Sequence, residues 1–202
     1  MFKELPGDSK EKLLWAQIKN SDEKAYEELI RQFYQILYNY GIRLVNDEDY
    51  VKDCVQDVFM EIWVRRFTLG DTDFVKYYLL KSLRRRIFRE YNKWFSQSSE
   101  LDEDYNFEVD FSIETELIKQ QTSEEQIQKI EHLLNKLPKR QKEAIYLKFY
   151  QDLSNEQIAE VLGVNRQSVY NLLYEALRKL RNEWTNDFVS LYALLMLLKY
   201  NH

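Results

Sequence analysis

The sequence predicts an all-α protein, two helical domains joined by an acidic linker, with a helix-turn-helix in the C-terminal domain. Three observations carry that prediction. Only four Gly and two Pro interrupt 202 residues, so long amphipathic runs dominate. Residues 137–181 read as two short helical patterns joined by a tight turn. Charge is also segmented, although the formal net is only −5. Residues 74–95 hold seven Lys/Arg against one Glu, and residues 96–126 hold one Lys against ten Asp/Glu. Residues 127–202 hold eleven basic against eight acidic side chains.

The organisation expected is a helical domain at 1–95, a linker at 96–126, a second domain at 127–185 and an apolar helical tail at 186–202. Leu13, Leu14, Ala16 and Ile18 begin the first helix, and Asn20, Ser21 and Asp22 break it and can cap the next. Ala25, Tyr26, Leu29, Ile30, Phe33, Ile36, Leu37 and Tyr40 then form a wide apolar stripe. Gly41 and the Asn46–Asp47 pair mark irregularities after it.

A third helix is expected over 49–67. Val51, Val55, Val58, Phe59, Ile62 and Trp63 form its buried side, with Asp53, Gln56, Asp57 and Glu61 on or near a polar side. Such an acidic face is either simply solvated or docks on a basic protein surface. After a loop at 68–73, the helix at 74–95 carries Tyr77, Tyr78, Phe88, Tyr91, Trp94 and Phe95 interleaved with Lys81, Arg84, Arg85, Arg86, Arg89 and Lys93. Leu79, Leu80, Leu83 and Ile87 cannot seal this helix alone, so part of the aromatic set belongs to the core. Cations with aromatics between them also suit single-stranded nucleic acid, because each stacked base contributes about 1–3 kcal/mol.

The single-sign charge of 96–126 argues for an extended linker despite Phe107, Val109 and Phe111. A new helix over 127–137 ends at Pro138, and residues 141–150 lead into the turn motif. There Ser154 and Gln157 have capping-box spacing, Gly163 permits a sharp turn, and Asn165 is a second N-cap. Val169, Leu172, Leu173, Ala176 and Leu180 must face inward. That leaves Arg166, Gln167, Ser168, Tyr170, Asn171, Tyr174 and Arg178 on the opposite face. This is either a plain αα-hairpin with a solvated outer face or a helix-turn-helix whose second helix enters a major groove. The Leu-rich tail is either a last core helix or a partner-binding helix.

Several chemistries are excluded. His132 and His202 lie far apart and Cys54 is the lone cysteine, so no metal spacing, Cys/His nucleophile or internal disulfide can be built. Glycines at 7, 41, 70 and 163 form no phosphate-cradling loop. No enzyme active site, metal or cofactor is expected. The start of the chain lacks a signal-peptide core, and the apolar run at 191–198 is far short of the roughly 20 residues a membrane span needs. The expectation is a soluble cytoplasmic protein.

Taken in order, three stretches resemble bacterial RNA polymerase sigma factors of the extracytoplasmic-function type, in the sigma-70 family. NSDEKAYEELIRQFY looks like that family's first helices, DCVQDVFMEIW like its polymerase-binding helix, and residues 137–181 like its C-terminal promoter-binding domain. The resemblance implies that Asp53, Gln56, Asp57, Glu61 and Trp63 dock on core RNA polymerase. It implies that Tyr77, Tyr78, Lys81, Arg84, Arg85, Phe88, Arg89 and Lys93, with the 67–73 loop, hold the melted minus-ten element. Arg166, Gln167, Ser168, Tyr170, Asn171, Tyr174 and Arg178 would read the duplex minus-thirty-five element, with Lys139, Arg140 and Lys148 on phosphates. An anti-sigma factor is the further partner implied, and the acidic linker would thread a basic channel of the polymerase. Where the family commonly has basic residues, this chain has Leu172 and Glu175. The rival readings are a stand-alone helix-turn-helix DNA-binding regulator acting as a dimer and a helical scaffold that uses the apolar tail.

Overall fold

Asp22 and Asp47 cut the N-terminal half into helices as short polar side chains do. Each has extended backbone, and each carboxylate accepts from an amide three residues on, Ala25 and Tyr50. The orphan donors of two helix starts are thereby satisfied. The computed structural model describes residues 7–95, Phe107 and residues 124–184, and side chains within 10–89, 107 and 128–184. The Lys93 side chain, the 186–202 tail and all of 96–123 except Phe107 lie outside the described residues. Among those described every regular element is helical: α1 (Gly7–Lys19), α2 (Glu23–Leu44), α3 (Glu48–Arg65), α4 (Val75–Phe95), α5 (Glu124–Asn135), α6 (Lys139–Ile145), a π-helical turn (Tyr146–Tyr150), α7 (Asn155–Leu162) and α8 (Arg166–Glu183). They fall into two compact units, Met1–Asp104 and Tyr105–His202.

In the first unit α2 packs on α1, α3 and α4. The predicted stripe is the buried one: Ala25, Leu29, Phe33, Leu37 and Tyr40 are inside, and Tyr26, Ile30 and Ile36 are half-buried at its margins. The expected irregularity at Gly41 is absent, because α2 runs through it. Gly41 instead marks a close approach, since a Cβ there would lie 2.7 Å from Val51 Cγ1 on α3. Valine is stiff at χ1, so the helices would have to part. Gly41→Ala should therefore destabilise by up to about 2 kcal/mol, an overpacking cost of about 1–3 offset by about 1 of helix propensity. Urea unfolding measures this, and a stabilised variant would refute the contact argument.

In the second unit α8 packs on α6 and α7. The capping signals act where the sequence places them. Ser154 and Gln157 form a full capping box, Gly163 is left-handed at φ 68°, and the Asn165 side chain accepts from the Ser168 amide. Val169, Leu173, Ala176 and Leu180 are buried, while Leu172 is only half-buried. Two features were not expected. The helix α6 widens into a π turn that buries Tyr146, Leu147, Phe149 and Tyr150, with the rings of Tyr146 and Tyr150 stacked at 5.1 Å. Phe107, placed in the extended linker on grounds of charge, is fully buried, its ring packed edge-to-face on Tyr146 with centroids 5.6 Å apart. A large aromatic gains enough from burial to leave a stretch whose average composition favours extension.

Candidate nucleic-acid and protein interfaces

The polar side of α3 is divided between two tasks. Asp53 and Gln56 are exposed. Asp57 and Glu61 turn toward α4, where Arg86 bridges them at 2.7 and 3.0 Å. Arg86 is therefore largely withdrawn from solvent and is not one of the cations α4 presents outward. The Glu61 carboxyl is held below its ordinary 4.5 chiefly by the Arg65 guanidinium, with burial opposing and Arg86 lowering it further. A depressed carboxylate stabilises the fold above its unfolded pKa and loses that contribution as pH falls through the folded one. Glu61→Gln should thus lower stability at neutral pH, with the difference from wild type closing as pH drops below 4.5. Thermal unfolding at a series of pH values checks this, and a pH-independent difference would count against it.

Trp63 is half-buried. Its ring lies 4.8 Å from that of Tyr26, and the Arg66 guanidinium covers it at 4.4 Å. What the sequence reading missed on this side is apolar: Met60 and Val64 stand in solvent at 57% and 68% exposure. Periodicity assigns such residues to a core by default. The residues the sequence assigned to the core, Val51, Val55, Val58, Phe59 and Ile62, are all buried, and Met60 and Val64 are left outside it.

Beyond α3, two exposed rings flank the 68–73 loop, Phe67 at 69% and Phe74 at 51%. Phe74 was not anticipated as part of this site. From there α4 buries Leu79, Leu80, Leu83 and Ile87. Tyr77, Lys81, Arg84, Arg85, Phe88 and Arg89 remain partly or fully exposed on the other side. Lys81 lies beside the Tyr77 ring, 5.6 Å from its centroid, and Arg84 lies over Phe88 at 4.6 Å. Tyr78 differs from this set, since its ring meets Trp15 of α1 edge-on at 5.2 Å. Packing therefore holds that ring against α1.

On α8, Arg166, Gln167, Tyr170, Asn171, Tyr174 and Arg178 are exposed together. Two pairs among them are already hydrogen-bonded to each other. Arg166 Nε sits 2.8 Å from the Glu156 carboxylate of α7, and its Nη2 donates to the Tyr170 hydroxyl at 2.9 Å. That contact is the main reason the Tyr170 phenol is held below its ordinary 10.0. Gln167 donates to Asn171 at 3.2 Å. Ser168 is half-buried and its Oγ donates to the capping Asn165, so it serves the helix start. Lys139 and Arg140 are half-buried in the first turn of α6, and Lys148 Nζ donates to the Leu153 carbonyl at 3.3 Å. Lys148 thus stabilises the turn before α7. Among the described residues no three His, Cys, Asp or Glu come together to hold a metal ion, and no helix is long and apolar enough to cross a membrane.

Two stretches of the chain match known families. Residues 26–94 match sigma-70 region 2, and residues 127–180 match sigma-70 region 4. The RNA polymerase sigma factor SigZ of Bacillus subtilis (strain 168) is 30% identical over 139 residues, spanning 69% of this chain and 75% of that protein. SigV of the same organism is 42% identical over 57 residues, 28% of this chain and 34% of that one. The fold is shared with CnrH, solved in complex with the cytosolic domain of CnrY, at TM-score 0.54 and 20% identity over 85% of this chain and 94% of that one. It is also shared with RpoE from Bartonella quintana, solved with the anti-sigma factor NepR, at TM-score 0.56 and 22% identity over 79% and 96%. The chain therefore belongs to the RNA polymerase sigma factors of the sigma-70 family, of the extracytoplasmic-function type, which direct promoter-specific transcription.

Proposed function

We propose that the two units divide promoter recognition between them, and that the chain performs no bond chemistry and acts in the cytoplasm. The N-terminal unit docks on core RNA polymerase through Asp53, Gln56 and the exposed Met60 and Val64, with Asp57, Glu61 and Trp63 at the margin. It holds the melted minus-ten strand on the loop and on α4. The observation that carries this reading is the clustering of Phe67, Phe74, Tyr77 and Phe88 with Lys81, Arg84, Arg85 and Arg89. These offer rings for unstacked bases and cations for the backbone between them. The C-terminal unit reads duplex through Arg166, Gln167, Tyr170, Asn171, Tyr174 and Arg178, with Lys139 and Arg140 on phosphates. The domain limits that go with this division are 1–95 and 127–185, with the linker between them and the tail after.

A protein antagonist that covers these surfaces is the further partner. The sigma factor RpoE, of the same fold, has been solved with the anti-sigma factor NepR bound, and exposed apolar side chains on α3 suit such a protein here. Promoter affinity should depend on polymerase. Residues 127–202 carry only three more basic than acidic side chains, so few phosphates are neutralised by the protein alone. The test mixes the protein with bacterial core RNA polymerase and with promoter duplex, separately and together. Co-purification with polymerase, and duplex binding that appears only in its presence, is the expected result. Tight, salt-resistant duplex binding by the free protein with no polymerase association would instead establish the stand-alone helix-turn-helix regulator.

A further inference from the structure

The 68–73 loop carries two carboxylates, Asp71 and Asp73, on a segment read above as facing a nucleic acid. Carboxylates there would repel the phosphate backbone. Both are met by lysines of α1: Lys19 pairs with Asp71, and Lys12 with Asp73. Between these pairs the indole Nε1–H of Trp15 donates to the Gly70 carbonyl at 3.0 Å. Trp15 is 2% exposed and its ring also meets Tyr78 of α4. Three successive turns of α1 thus reach the loop at three points, and the central one is anchored in the core.

We propose that α1 is a clamp on the minus-ten-reading loop, with Trp15, Lys12 and Lys19 as positioning residues for base recognition. The proposal rests on the promoter reading above and adds to it a specificity role for a helix to which that reading gave no contact with polymerase or DNA. The three contacts have different weights. The two ion pairs are exposed at the carboxylate end and contribute little rigidity. Their effect is to cancel the loop's two negative charges before a phosphate approaches. The indole bond, made from a core tryptophan, fixes where the backbone at Gly70 lies, and with it the spacing of Phe67 and Phe74 on either side.

The roles separate by experiment. Trp15→Phe keeps a ring in the core and removes the donor. Lys12→Gln with Lys19→Gln removes the pairing charges without touching the core. Holoenzyme made with each variant is assayed for open-complex formation on promoter fragments carrying every base at each minus-ten position. Trp15→Phe should reduce the preference for the best base by about fivefold, the size expected for one lost hydrogen bond, with polymerase binding unchanged. The double lysine variant should weaken melted-strand binding at every sequence alike, and adding Asp71→Asn and Asp73→Asn should restore it. Hydrogen exchange in the free protein should speed up at the amides of 68–74 in Trp15→Phe, with the helical amides of α2 and α3 unaffected.

Unchanged base preference in Trp15→Phe would overturn the clamp, as would exchange that accelerates throughout the unit and so reports general loosening. Wild-type protein that supports no open complex at any sequence would instead sink the promoter reading, and the clamp with it.

Discussion

An Asp53→Arg variant is expected to lose association with core RNA polymerase while folding as wild type does. Asp57→Arg is expected to lose it and to unfold more easily. The two aspartates lie a helical turn apart on α3, yet their surroundings differ. Asp53 is exposed, so reversing its charge should change stability by no more than about 0.5 kcal/mol. In a docked interface, an arginine facing a basic surface replaces attraction by repulsion. A loss of 2 kcal/mol or more, roughly thirtyfold or greater, is ordinary for such a site. Asp57 also accepts from Arg86 at 2.7 Å, and Arg86 is tucked against α3 with only 16% of its side chain exposed. An arginine at 57 leaves that guanidinium against a like charge, with an expected cost on the order of 1–2 kcal/mol, less than for a fully buried pair because Asp57 is 42% exposed. Pull-down with core polymerase and denaturant unfolding on both variants separate the two effects. An Asp53→Arg protein that still co-purifies would remove the polar side of α3 from the docking surface.

The second large effect is expected on α8. Arg166 is the first residue of that helix, the position from which recognition helices commonly reach base edges. Arg166→Ala should cost about 1–3 kcal/mol of holoenzyme affinity for the minus-thirty-five duplex and flatten base preference at one position. Glu156 should act in the opposite direction. Its carboxylate holds Arg166 at 2.8 Å and adds a negative charge beside the face that meets phosphates. Glu156→Gln should raise affinity across all sequences and steepen the salt dependence by about one counterion. It should also reduce discrimination, because Arg166 would no longer be held in one pose. Binding to a panel of duplexes at several salt concentrations checks both variants. If Glu156→Gln bound more weakly and Arg166→Ala were neutral, α8 would not be the reading helix.

How much of this was legible beforehand follows from the range of the interactions involved. Local chemistry was readable. The caps at Asp22, Ser154 and Asn165, the left-handed Gly163 and the buried stripes of α2 and α8 depend on residues within one turn of each other, and the chain order alone specifies them. The outward set on α8 followed by subtraction from its apolar stripe, and the segmentation of charge needed no geometry.

The rest required knowing which surfaces meet. Gly41 resembles a helix breaker until α3 is placed against it, where the absence of a side chain lets two helices approach. Arg86 resembles its neighbours Arg84 and Arg85 until α3 supplies two carboxylates. Phe107 lies in a stretch whose average composition favours extension, but burial is decided by individual side chains, and Tyr146 provides its seat. The sequence by itself determined the helices, their caps and the polar face of α8, because those depend on short-range periodicity. Only the tertiary structure decided which charges are already paired and which apolar groups remain exposed, because both depend on contacts between residues far apart in the chain.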